Sequence, residues 1–302
     1  MKKDIVLALG GGGAKGYAHI GVLRVLEEAG YNVVGVAGTS AGALVGALYA
    51  AGYTPDEILE RLIAVDPQHI FDRRAGDRPS ILGLQGVEAM LREALGDRTF
   101  ADLPRPFGAV AVDILSGKTI FLRSGVVADA ALASSAVPGV FPPIAWKDWL
   151  LVDGGVADNV PVRLARLLAP RTPVVAVALS LMPPEVEQFE EIALPPVRIS
   201  ILQKVIARLR YTQAFNIFVR SSEVALGHHT LLRLQVDRPE VTIIPAVGQV
   251  NFLDNPPDID AVVAAGETAA RAALPQLKRL FPWYRLRWRT PPSDLDYVVI
   301  DE

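Results

Sequence analysis

The first sixty residues alternate between short apolar runs and apolar stripes with helical spacing. Residues 5–9 and 33–37 are apolar runs, each followed directly by a glycine. This pattern predicts two buried strands. Between them, apolar residues on one face predict a helix over 16–29, ended by Gly30. A second helix is predicted over 41–51. This part of the chain therefore predicts a β-α-β-α unit.

The same alternation continues toward the middle of the chain. Thr54, Pro55 and Glu57 form the typical start of a third helix: a capping residue, a proline at the first position and a glutamate three after the cap. The next predicted elements are strands over 107–113 and 119–123, a helix over 129–135, a strand over 149–152, a helix over 162–168 and a strand over 174–179. Such alternation predicts an α/β fold, a mainly parallel sheet sandwiched by helices, with ligands at the carboxyl ends of the strands.

The last third of the chain has a different composition. Residues 183–196 are rich in proline and acidic side chains, which predicts an exposed connection. The elements expected after it are a long helix over 198–225, strands over 231–235 and 241–244, and a helix over 258–279. Two strands and two helices are too little to form a separate core, so we predict one domain over 1–280. It consists of a motif-bearing core at about 5–180 and an edge extension over 197–280, and a tail over 281–302 follows it.

Composition excludes several classes of protein. The 302 residues are 51% hydrophobic and carry a net charge of −3, so there is no broad basic field and we expect no nucleic-acid partner. The chain has no cysteine, which excludes disulfides and thiolate metal sites and fits a reducing, cytoplasmic location. Residues 33–51 are uncharged and long enough for a membrane span, but the many glycines there favour a strand, a sharp turn and a buried helix.

A glycine-rich loop over 11–16 follows the first strand and opens the first helix. Several backbone N–H groups should therefore converge at a helix N-terminus, where an anion is favoured. Dinucleotide-binding proteins use a similar loop, but they need an acid at the end of the next strand, and here that strand leads into Ser40. A phosphate-binding loop would need Ser or Thr after Lys15, where Gly16 stands. Nucleotide or phosphate binding remains an alternative that a nucleotide titration tests.

The next strand-to-helix junction carries a Gly-x-Ser-x-Gly pattern over residues 38–42. In that context the pattern predicts a nucleophile elbow, a sharp turn that presents the Ser40 hydroxyl above the sheet. The N–H of Ala41 should lie beside the attacking oxygen. The donors expected to complete an oxyanion hole with it come from the glycine loop: Gly11, Gly12 and Gly13.

The general base is predicted to be Asp153, where an apolar strand ends in a carboxylate followed by two glycines. An exposed aspartate, with a pKa near 3.9, is a poor base, so this role requires desolvation. A simple turn aspartate is the structural alternative. A Ser-Asp-His triad would need His228 or His229, an adjacent pair near the predicted edge of the fold.

Other histidines fit structural roles better. His19 lies on the first helix and is expected to pack near the glycine loop. Asp66, His69 and Asp72 could suggest a metal site, but one histidine without a second cluster makes a poor coordination shell.

Together these segments resemble the patatin-like phospholipase family, especially its short bacterial members. Residues 11–16 are similar to the family's oxyanion motif, 38–42 to its nucleophile motif and 153–155 to its catalytic aspartate motif. Residues 134–143 and 158–161 are similar to the segments on either side of that aspartate. The resemblance is clear over about 5–180.

The resemblance implies a Ser40–Asp153 dyad that cleaves carboxylic esters of fatty acyl chains through an acyl-enzyme, with no metal and no cofactor. Lys15 stands where arginine is common in the family, and Gly155 where alanine is also common. A catalytically silent lipid-binding or regulatory protein of the same fold is the alternative.

Two segments bear on a lipid partner and on peripheral membrane contact. Residues 283–289 alternate aromatic or apolar residues with arginine, which fits an edge strand better than a membrane-lying segment. The basic helix with Lys204, Arg208 and Arg220 is a second candidate. The sequence predicts neither the natural ester nor the oligomeric state.

Overall fold

The computed structural model describes residues 3–66, 71–73, 78–179, 181, 201–247, 250, 258–281 and 297–300, and the backbone alone for 201–216, 218 and 219. The strands are β1 (Lys3–Leu9), β2 (Tyr31–Gly38), β3 (Phe107–Asp113), β4 (Thr119–Leu122), β5 (Ile144–Trp146), β6 (Trp149–Asp153), β7 (Val174–Val177), β8 (Val241–Ile243) and β9 (Tyr297–Ile300). The helices are α1 (Ala18–Glu28), α2 (Ala41–Ala50), α3 (Pro55–Ile63), α4 (Gln85–Leu95), α5 (Val127–Ser134), α6 (Val162–Leu168), α7 (Ile201–Asp237) and α8 (Ile259–Lys278).

All nine of these strands belong to one sheet, in the order β5-β6-β3-β2-β1-β7-β8, with β4 paired to β3 and β9. The strands from β3 through β2, β1 and β7 to β8 run parallel, whereas β4 and β6 pair with β3 in the antiparallel direction. The predicted α/β fold with a mainly parallel sheet is confirmed.

Hydrophobic residues pack on both faces of this sheet. Alternate residues of β1 enter different clusters: Ile5, Leu7 and Leu9 face one side, and Val6 and Ala8 face the other. All five are fully buried. A strand buried on both faces must be apolar throughout, which explains the continuous run in the sequence.

The direction of β6 corrects one expectation about the site. The alternating elements predicted ligands at the carboxyl ends of mainly parallel strands, but β6, which ends in Asp153, runs antiparallel to β3 and approaches the elbow from the opposite direction. The two positions meet because β3 extends beyond β2: Gly38 pairs with Ala109 and Asp153 with Ala111. Counted along β3, Asp153 therefore lies two residues beyond the level of Gly38, where the elbow begins.

Local signals predicted several boundaries well. The third helix starts with the predicted capping box, in which Thr54 Oγ1 accepts the Glu57 N–H at 3.3 Å and Glu57 Oε2 accepts the Thr54 N–H at 2.8 Å. Residues 33–51 form strand, turn and helix, as expected in place of a membrane span. The first helix begins two residues later than predicted, after a 3-10 turn over Gly13–Tyr17.

Other expectations were wrong. Residues 231–235 are not a strand but part of α7, which continues to Asp237 because side chains at helical spacing bind the residues after Asp153, as described below. The expected tail contains β9, which pairs in parallel with β4 and stacks Tyr297 on Phe121 at 4.4 Å between ring centroids. Helix α4 and strand β5 were not predicted.

Some expectations are not tested by the structure. Residues 183–196, residues 283–289 and His69 lie outside the described residues, and the single-domain assignment stays a prediction.

Candidate active site

Ser40 occupies the turn between β2 and α2 with φ 54° and ψ −124°, a backbone conformation that is strained for any residue except glycine. The flanking glycines are required by close contacts. A Cβ at Gly38 would lie 2.4 Å from the Gly42 carbonyl oxygen, and one at Gly42 would lie 2.1 Å from that of Leu9. The turn is therefore as sharp as a nucleophile elbow demands.

Two neighbouring elements hold this turn in place. The Ser40 N–H donates to Ser134 Oγ at 3.0 Å, and the Ser134 hydroxyl donates to the Val110 carbonyl oxygen at 2.6 Å. The Thr39 hydroxyl donates to the Asp158 carbonyl oxygen at 2.9 Å. Ser134 was given no role of its own from the sequence, although it lies at the end of a predicted helix of small residues and opens the family-like segment 134–143.

Asp153 is buried at the end of β6, and its carboxyl interacts with the Ser40 side chain. Its Oδ1 accepts the Gly155 N–H at 2.7 Å, while its buried Oδ2 makes no hydrogen bond with any described residue. Burial raises the pKa of Asp153 to about 6, although the Ser40 hydroxyl and the Gly155 N–H act in the opposite direction. Desolvation thus makes this carboxylate a stronger base than an exposed one.

The glycine loop lies directly against the serine. A Cβ at Gly11 would come within 3.0 Å of Ser40 Cβ and 2.7 Å of Asn159 Oδ1, so no side chain fits there. The expectation that Gly11 is an oxyanion donor is wrong for its N–H, which already donates to the Asn159 carbonyl oxygen at 3.0 Å. The N–H groups of Gly12, Gly13 and Ala41 bond to no other described residue, which leaves three of the four expected donors available.

Comparison with known proteins places the chain in a family. The model of the patatin-like phospholipase family matches residues 7–166, a segment that includes both Ser40 and Asp153. The chain belongs to this family. An NTE family protein of Mycobacterium tuberculosis, named as uncharacterised, is 41% identical over 161 residues, which cover 52% of this chain and 44% of that protein. Another from the same organism is 30% identical over 298 residues, covering 90% of this chain and 46% of that one.

The patatin-like chain thus spans under half the length of these two mycobacterial relatives. Among solved structures, VipD from Legionella pneumophila has a similar fold, with a TM-score of 0.56 and 16% identity over 91% of this chain and 67% of that chain. Membership of a phospholipase family supports a lipid hydrolase in general. No helix among the described residues is long and apolar enough to cross a membrane.

Of the histidines that the structure describes in this patatin-like chain, none forms a hydrogen bond with Ser40 or Asp153. His19 is fully buried, its Nε2 donates to the Gly10 carbonyl oxygen at 2.8 Å, and burial lowers its pKa to about 4. It therefore supports the start of the glycine loop, as expected. His228 and His229 lie on α7, and neither forms a hydrogen bond with Ser40 or Asp153.

Asp113 and Asn159 were not among the predicted catalytic residues, and the structure gives them different surroundings. The Asp113 carboxylate accepts the N–H groups of Leu150 and Ser116, each at 3.0 Å, and so caps the turn after β3. Asn159 lies at the site itself, between the glycine loop and the turn after Asp153. No signal within its own segment distinguished it before the resemblance to the family was considered.

Proposed function

We propose that this protein is a serine acyl hydrolase that cleaves carboxylic esters of fatty acyl chains through a Ser40–Asp153 dyad. The observation that carries the proposal is a buried serine on a strained elbow beside a buried carboxylate whose pKa is raised to about 6. Such an environment turns an ordinary aspartate into a base suited to neutral pH.

In the proposed reaction, Ser40 Oγ attacks the acyl carbonyl carbon while its proton passes to Asp153 Oδ2, the carboxylate oxygen that has no hydrogen-bond partner among the described residues. The alcohol then leaves with that proton, and Ser40 carries the acyl group as an ester. Water attacks this ester, again giving a proton to Asp153. The fatty acid departs, and the proton returns to Ser40.

The negative charge on the carbonyl oxygen is proposed to bind the N–H groups of Gly12, Gly13 and Ala41, which have no other described partner. Each donor of this kind contributes on the order of 3 kcal/mol to the transition state. At about pH 7 a carboxyl with a pKa of about 6 is mostly ionised, so Asp153 starts the reaction as a base.

Lipid esters are the substrate class that we propose, because the chain belongs to a phospholipase family. The buried position of both dyad members fits a substrate whose acyl chain displaces water from the site. The mechanism requires no metal and no cofactor.

Release of p-nitrophenol from medium-chain p-nitrophenyl esters tests the proposal. The wild type should turn over, and Ser40→Ala and Asp153→Asn should each lower kcat/KM by at least about 100-fold. His229→Gln, the matched control for a histidine base, should keep most of the activity. An inactive wild type with a folded structure would favour a lipid-binding protein, and activity that survives Asp153→Asn but not His229→Gln would replace the dyad by a triad.

A further inference from the structure

One short loop contacts all three parts of the candidate site. We call Gly154–Asn159 the bracing loop. Its Gly155 N–H donates to Asp153 Oδ1, the Thr39 hydroxyl donates to the Asp158 carbonyl oxygen, and the Gly11 N–H donates to the Asn159 carbonyl oxygen. A shift of this loop would therefore disturb the base, the elbow and the glycine loop together.

Helix α7 meets the same region through one face. The side chains on this face are Leu226, Thr230, Arg233 and Asp237. Their spacing of four, three and four residues places them on a single side of the helix. We call this side the α7 docking face.

Contacts run along the whole docking face. Leu226 Cδ1 lies 3.9 Å from the point where a Cβ on Gly155 would stand. Asn159 Nδ2 donates to Thr230 Oγ1 at 3.4 Å. Arg233 Nη2 lies 3.3 Å from Asp158 Oδ2.

At the end of the face, Asp237 binds Arg163 with 2.6 Å between Oδ1 and Nε, and its Oδ2 lies 3.5 Å from Arg233 Nε. Arg163 belongs to α6, which follows the bracing loop. The last turns of α7 are therefore fixed both to the loop and to the helix after it.

The Arg233–Asp158 pair is the contact with the largest electrostatic consequence. Asp158 is fully buried, whereas the Arg233 side chain is 24% exposed. Burial raises the pKa of Asp158 to about 7, and the positive charges of Arg233 and Arg163 oppose that rise while Asp237 adds to it. Without Arg233, a buried carboxylate would lose its nearest cation, and such a change is costly.

We infer that Arg233 is a positioning residue for the dyad: through its ion pair with Asp158 it holds the bracing loop, and through that loop it aligns Asp153, the elbow and the glycine loop. This role rests on the proposed function. It assigns the C-terminal half of α7, far from Ser40 in the sequence, to the support of the active site.

The test compares Arg233→Met, Arg233→Lys and the double variant Asp158→Asn/Arg233→Met, with p-nitrophenyl butyrate as a dissolved substrate. Arg233→Met should lower kcat about 10-fold or more and change KM less than about 3-fold, because alignment and not binding is lost. Arg233→Lys should recover part of kcat. The double variant should be no more impaired than Arg233→Met, because both replacements remove the same ion pair.

Arg271→Met is the matched control. Arg271 pairs with the carboxylates of Glu28 and Glu267, as Arg233 pairs with two aspartates. It lies on α8, and its side chain is more exposed than that of Arg233. It should keep wild-type kcat. Wild-type kcat in Arg233→Met, or a double variant that returns to wild-type kcat, would overturn the inference.

Hydrogen exchange gives a readout that needs no catalysis. In Arg233→Met, amides over residues 153–159 should exchange at least about 10-fold faster, while those of α1 stay as protected as in the wild type. Unchanged exchange in 153–159 would overturn the inference even if no ester is hydrolysed. Absence of Ser40-dependent hydrolysis in the wild type would instead contradict the proposed function.

Discussion

The Asp153 carboxyl lies beside the Ser40 side chain, with both residues 5% exposed, although they reach this place on strands that run in opposite directions. The serine is fixed from below by Ser134, and the aspartate by the Gly155 N–H. Because one oxygen of the carboxylate has no described hydrogen-bond partner, it is available to take a proton.

The pH dependence of hydrolysis should follow Asp153. Since the base acts as a carboxylate, kcat/KM for a neutral ester should fall as pH drops through about 6 and stay level above about 7. A pH–rate profile at two temperatures identifies the group, because the pKa of a carboxyl changes little on warming whereas that of an imidazole falls. A profile whose apparent pKa falls on warming would contradict the assignment.

Asp153→Asn should stabilise the protein while removing activity. The folded-state pKa is raised from 3.8 to about 6, so the native state binds more protons than the unfolded one in that range, and wild-type stability falls as pH rises through it. Above about pH 6 the neutral amide should therefore gain up to about 2–3 kcal/mol, measured by denaturant unfolding.

Asp113→Asn is the matched control for that change. Hydrogen bonds from Ser116 and Leu150 outweigh the effect of burial and hold the pKa of Asp113 below its usual value, so its ionised form is stabilising above the unfolded-state pKa. That variant should lose stability near neutral pH, and the loss should vanish in acid. An equal loss of stability in both variants would contradict this account of the buried carboxyl.

Gly11→Ala should abolish activity in a protein that still folds. The new Cβ would lie 3.0 Å from Ser40 Cβ and 2.7 Å from Asn159 Oδ1, so the serine or the amide must move. A displacement of this size at reacting groups lowers kcat by about 100-fold. Gly35→Ala, whose Cβ would meet nothing closer than 3.4 Å, is the control and should keep most of the activity.

Ser134→Ala should lower both stability and kcat. It leaves the buried Ser40 N–H and the Val110 carbonyl oxygen without their partner, at a cost of about 1–3 kcal/mol. Ser135→Ala is a close control, since its hydroxyl donates to the Ala131 carbonyl oxygen of the helix that ends just before it. Similar kinetics in the two variants would show that Ser134 does not hold the elbow.

The sequence contained the local parts of this site. The elbow and the glycine loop are each one contiguous segment. Their glycines are required by close contacts within adjacent βα units, so residue spacing was enough to predict them. Boundaries set by apolar runs, such as Phe107–Asp113, were predicted correctly for the same reason.

Features that depend on distant partners could not be predicted. Residues 231–235 are apolar enough for a strand. They are helical because Arg233 and Asp237, in the same turns of α7, form ion pairs with Asp158 and Arg163. The antiparallel approach of Asp153 and the bond between Gly11 and Asn159 likewise depend on strand pairing that no local pattern encodes. Ser134 belongs to the same class.

The Ser40–Asp153 dyad can be tested by labelling with a fluorophosphonate, followed by peptide mass mapping. One adduct is expected, on Ser40, that is absent from Ser40→Ala and forms at least about 100-fold more slowly in Asp153→Asn. An adduct on another residue, or wild-type labelling rates in Asp153→Asn, would contradict the dyad.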